Sequence, residues 1–61
     1  MWKIIFEDAD KNAVEELEFS NYSKARKYFD ALFLDQFEAA ILIRANGTFL
    51  DIKQKKVVDT H

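Results

Sequence analysis

The chain has 61 residues, with 11 acidic and 9 basic side chains, a formal net charge of -2, no Cys, and an apolar fraction of 49%. That length holds one domain of marginal stability, burying about 60% of the surface its unfolded chain exposes. With 6 Phe, 2 Tyr and 1 Trp the composition excludes a disordered segment, and the absence of Cys excludes disulfide frameworks, thiol nucleophiles and Cys-rich zinc sites together.

In Trp2-Lys3-Ile4-Ile5-Phe6-Glu7 the two-residue period predicts a half-buried strand over about 2–7, with Trp2, Ile4 and Phe6 facing the core. Asp8-Ala9-Asp10-Lys11-Asn12 is turn chemistry, because short Asp and Asn side chains bond nearby amides and tolerate left-handed backbone. The next segment, 13–19, contains helix-favouring Ala, Glu and Leu, but Leu17 and Phe19 are spaced as in a strand. A strand completes a hairpin with the first, whereas a helix there would have to stop after about two turns at Ser20-Asn21.

Ser20 and Asn21 are both good N-caps for a following helix. Tyr22, Ala25, Phe29, Leu32, Phe33 and Gln36 recur at steps of three and four and predict that helix over about 22–36, while Tyr28 and Leu34 fall off the stripe and add exposed apolar area. From Phe37 the period returns to two. Asn46-Gly47 between apolar runs predicts strands over about 38–45 and 48–53 joined by a two-residue type I′ turn, in which both central residues need positive φ. With Ala45 opposite Thr48, Arg44 pairs with Phe49, Ile43 with Leu50, Leu42 with Asp51 and Ile41 with Ile52. Ile41, Ile43, Leu50 and Ile52 are then assigned to the core face, and Ile5, Leu42 and Phe49 to the other. The expected fold is a single two-layer α+β domain over 1–61 in ββαββ order, an antiparallel sheet with one helix on one face and a tail over 57–61.

Catalytic chemistry finds no support in the residues. The one His, His61, is terminal, where a frayed end does not hold a general base in place. Asp8-x-Asp10-x-Asn12 begins like a calcium loop, but its sixth position is Ala13 and its twelfth Phe19, where Gly and Glu are required. The expectation is a non-enzyme with no cofactor and no metal.

Three features point to partners. Glu15, Glu16 and Glu18, with Glu7, Asp8 and Asp10, make the first hairpin acidic, which either attracts a basic partner or protects an edge strand. Ile5, Leu42 and Phe49 on the face away from the helix suggest an apolar protein interface, since an uncovered antiparallel face is normally polar. Lys53, Lys55 and Lys56, with Lys24, Arg26 and Lys27 on the helix, could contact nucleic-acid phosphates, although the net negative charge disfavours this. The first expectation is therefore a small protein-interaction module, for instance a phage-type inhibitor or modulator of a larger machine, binding another protein or itself as a homodimer. A nucleic-acid-binding regulator is the alternative. No apolar stretch reaches the ~20 residues of a membrane span, and the apolar run 1–6 ends at Glu7-Asp8, too short for a signal peptide. A cytoplasmic location without a membrane partner is expected.

Overall fold

The structure is a computed structural model that describes residues 1–34 and 36–55. Lys56, the expected tail over 57–61 with His61, and Asp35 within the expected helix lie outside the described residues. The elements are β1 (Trp2–Glu7), β2 (Ala13–Phe19), α1 (Tyr22–Ala31), β3 (Ala39–Arg44) and β4 (Phe49–Gln54), a small α+β domain in ββαββ order. All neighbouring strands are antiparallel and the sheet order is β2-β1-β3-β4, so β2 and β4 form the edges.

Alternation and pairing together fix the faces. Ile4 aligns with Leu17 on β2 and with Leu42 on β3, while Phe6 aligns with Ala40. Ile4, Phe6, Ala40 and Leu42 are buried with Ala25 and Phe29 of the helix and with Leu34, and Trp2, Leu17, Phe19, Leu32 and Phe37 close the margins. The helix packs against β1, β2 and β3. Ala25 and Ala40 are both fully buried, and such small side chains let a helix approach a sheet closely.

This corrects the assignment of β3 and β4. Leu42, expected on the outer face, is fully buried under the helix, and the expected core residues Ile41 and Ile43 lie opposite it, level with Ile5 and Lys3 of β1. Leu50 and Ile52, also expected inside, are exposed. The expected pairs Leu42 with Asp51 and Ile41 with Ile52 are present, but Arg44 with Phe49 and Ile43 with Leu50 are not, since Ile43 pairs with Phe49 and Arg44 bonds Thr48. A hairpin register states which residues share a face but leaves open which face meets the helix, because β3 is apolar on both sides. Pairing with β1 decides it: Leu42 lies beside Ile4, and Ile4 is in the core.

The turn also differs from expectation. Arg44 N–H donates to Thr48 O at 2.9 Å and Gly47 N–H to Arg44 O at 2.9 Å. Within the turn only Gly47 has positive φ, at 92°. This is a three-residue loop, a type I turn closed by a left-handed residue. Asn46 does not take the left-handed position; its Oδ1 instead accepts from Thr48 N–H at 3.0 Å. The extra loop residue is absorbed where Ile43 pairs with Phe49 and Leu42 with Asp51, leaving Leu50 as a bulge. The β1–β2 loop repeats the same geometry: Asp8 N–H donates to Asn12 O at 3.1 Å, Lys11 N–H to Asp8 O at 3.0 Å, and Lys11 is left-handed at φ 65°. Asp8 Oδ1 accepts from the amides of Asp10 and Asn12 at 2.9 and 3.0 Å.

The helix starts as expected, with Asn21 Oδ1 accepting from Lys24 N–H at 3.2 Å, but ends at Ala31, short of the expected 36. Leu32 is extended at φ -72°, ψ 149°. Stopping there frees the chain to return to the core: Leu34, expected to be exposed, is buried, and Phe37 stacks against Phe6 with ring centroids 4.6 Å apart. Three successive apolar residues, Leu32-Phe33-Leu34, cannot all lie on one helical stripe, and here Phe33 is the residue left outside, 85% exposed.

Candidate functional site

The face of the sheet away from the helix has an apolar part and a charged flank. On β1, β3 and β4 it carries Ile5, Ile41, Ile43, Phe49 and Ile52, with Ile5 aligned to Ile41, Ile41 to Ile52 and Ile43 to Phe49. Phe49 is 58% exposed and Ile52 40%, while Ile5, Ile41 and Ile43 are half-buried by their neighbours alone. No described element lies over them. The charged residues of β4 are turned the other way, toward the helix. Asp51 Oδ2 meets Arg26 Nη2 at 2.9 Å, and Lys53 Nζ donates to the carbonyls of Phe29, Asp30 and Leu32 at 2.9, 3.1 and 3.2 Å. This leaves Phe49 and Ile52 on the outer face.

The helix has no basic residue in its last turn, and its unpaired terminal carbonyls carry the negative end of the helix dipole. Lys53 supplies the missing cation from another element, and its ammonium also lies 5.5 Å from the Phe29 ring centroid. Arg26 is held above its usual pKa, chiefly by its hydrogen bond to Asp51, with Asp30 contributing charge. Asp51 is held below the usual carboxylate range, first by accepting the Ile52 amide at 2.8 Å and then by Arg26.

The charged flank lies on β1 and β2. Lys3 Nζ sits 3.1 Å from Glu16 and 3.9 Å from Glu18, and Glu16 aligns with Ile5. The three expected acids separate here, since Glu15 aligns with Phe6 and so points to the helix side. There it borders an open cleft of about 350 Å³ lined mainly by Phe6, Leu17, Tyr28, Phe33 and Phe37.

Of the residues expected to form an interface, Ile5 and Phe49 lie on the outer face, Glu16 and Glu18 flank it, and Leu42 and Glu15 lie on the opposite side. Ile41, Ile43 and Ile52 belong to the surface and were placed in the core by sequence reasoning. The segment Ala39-Ala40-Ile41-Leu42-Ile43 held no signal for this, since it is apolar on both sides and the bulkier alternating set is the one left outside. Of the basic residues offered for phosphate contact, Lys53 has its ammonium engaged by the helix end and Arg26 its guanidinium by Asp30 and Asp51. Lys55 N–H donates to Glu38 O at 3.0 Å.

Among the described residues there is no cluster of three His, Cys, Asp or Glu placed to hold a metal ion, and no helix long and apolar enough to cross a membrane. Compared with known protein families, curated proteins and solved structures, the chain matches none. Geometry alone defines its class, a four-stranded antiparallel sheet carrying one helix.

Proposed function

We propose that this protein is a non-enzymatic cytoplasmic interaction module that docks another protein chain on the outer face of its sheet. By occupying a partner's surface it would inhibit or modulate a larger assembly. The observation that carries the reading is the uncovered set Ile5, Ile41, Ile43, Phe49 and Ile52 on β1, β3 and β4, with the charges of β4 turned inward. Contiguous apolar surface bordered by polar residues is the usual anatomy of a protein contact. Lys3, Glu16 and Glu18 are the polar border.

The test is affinity capture from the lysate of the native cells, with wild-type protein and a Phe49→Asp, Ile52→Lys variant as baits and mass spectrometry of the captured chains. Chains held by the wild type and lost by the variant support the reading. A capture profile identical for both baits, with the variant shown to be folded by circular dichroism, overturns it.

A further inference from the structure

We infer that the free edge of β2, with the cleft beside it, takes an extended basic and apolar segment of another protein as a fifth strand of the sheet. This site is separate from the outer face proposed above. The ladder shows which backbone groups are open. Met1 O accepts from Ala45 N–H at 2.7 Å and Glu7 O from Glu38 N–H at 2.8 Å, so the odd-numbered residues of β1 bond toward β3. Trp2, Ile4 and Phe6 then bond toward β2, where they meet Phe19, Leu17 and Glu15. The N–H and C=O of Glu16 and Glu18 therefore point off the sheet, on a stretch, 15–19, whose register is unbroken.

The opposite edge is blunted. On β4 the ladder is interrupted by the bulge at Leu50, a device that keeps edges from pairing, and the Ile52 amide is already engaged by Asp51 Oδ1 at 2.8 Å. Strand addition is thus open at β2.

Side chains of an added strand alternate between the two faces. On the helix side they fall beside Glu15 and Leu17, which border the cleft of about 350 Å³ that Phe6, Tyr28, Phe33 and Phe37 also line. Phe33 is 85% exposed there, so this row meets apolar surface. On the outer side the other row falls opposite Glu16 and Glu18. Every charged side chain of β2 is an acid, and Lys3 is the one cation paired with them among the described residues. Like charges opposite one another destabilise a strand pair. Two β2 edges therefore repel, and the complement is a strand with Lys or Arg on one face and apolar side chains on the other. Backbone bonds supply affinity in such strand addition, and the alternate side chains supply specificity.

The probe is a blocked heptapeptide with Lys at its odd positions and Ile, Phe and Ile at its even ones, titrated to about 1 mM into isotope-labelled protein. Amide shifts are expected over 14–19 and 28–33, with slowed hydrogen exchange at Glu16 and Glu18. Glu16→Lys combined with Glu18→Lys should weaken binding about tenfold. Glu16→Pro deletes an outward N–H that an edge strand can lose, and should weaken binding more than Glu16→Gln, which removes only the charge. Methylating every backbone nitrogen of the peptide tests the same bonds without altering the protein, and should abolish binding. The inference is overturned by an absence of shifts at the highest concentration, by equal binding of the fully methylated peptide, or by equal binding of the peptide with Glu in place of Lys. Shifts centred on 41–43 and 49–52 also overturn it, by placing the peptide on the outer face. None of these failures removes the outer-face reading, which the capture experiment tests by itself.

Discussion

Lys53→Met removes one ammonium and keeps most of the stem, so it isolates the contact that joins β4 to the helix end. In the native protein that ammonium serves three carbonyls, of Phe29, Asp30 and Leu32, at 2.9 to 3.2 Å. No basic residue in the last helical turn substitutes for it. A cation at a partly buried helix C-terminus contributes up to ~2 kcal/mol, and a hydrogen bond to a charged group about 1.5–3 kcal/mol net. These describe the same contact and do not add. The Asp30 carbonyl is in an exposed residue and recovers water in the variant, which holds the expected loss to about 2 kcal/mol. For a domain of this size that lowers Tm by roughly 8–16 °C. Urea denaturation followed by circular dichroism at neutral pH measures it directly, with equal m-values certifying that only stability changed. A loss below about 0.5 kcal/mol, the level of an ordinary surface substitution, would refute the reasoning and release Lys53 for a role at the surface.

Leu42→Ala should cost about 3 kcal/mol, because it opens a cavity beside Ile4 in a fully buried site, whereas Phe49→Ala should cost less than about 1 kcal/mol, the scale of one cross-strand pair; urea denaturation of both at low protein concentration checks the contrast. The two hairpins make opposite predictions at equivalent positions. Gly47→Ala meets no atom within 4 Å yet places a Cβ on left-handed backbone and should cost about 1 kcal/mol, while Lys11→Gly removes that strain, loses part of the gain to unfolded-state entropy, and should stabilise by about 0.5 kcal/mol. Thermal melts of the two variants are expected to move in opposite directions. Asp51 has a carboxyl pKa lower in the folded protein than its ordinary value, so its contribution is present above about pH 4 and lost as pH falls through the folded value. Urea titrations between pH 5 and pH 2 should therefore show Asp51→Asn losing less stability on acidification than the wild type.

The sequence by itself determined the element order and most strand limits. The alternation of Trp2, Ile4 and Phe6, the Asn21 cap and the Asn46-Gly47 turn are local signals, each set by backbone chemistry within a few residues. Phe49 lies away from the helix, as expected, but through two differences that cancel: the expected register put it on the side of Leu42, and the bulge at Leu50 moved it to the side of Ile43, which is the side left outside. The type of turn was less legible, since Asn-Gly suits two left-handed residues but also an Asn that accepts a backbone amide followed by one left-handed Gly. The helix end was likewise hidden, because the cation that caps it, Lys53, comes from the last strand. Tertiary structure alone decided which side of β3 meets the helix. Both its faces are apolar, so periodicity is silent, and the choice follows from pairing Leu42 with Ile4 and from the small Ala40 that lets the helix close down. That choice buried Leu42 and left Ile41, Ile43 and Ile52 beside Phe49, so the position of the candidate interface is a consequence of strand β1, distant in sequence from the residues that form most of it.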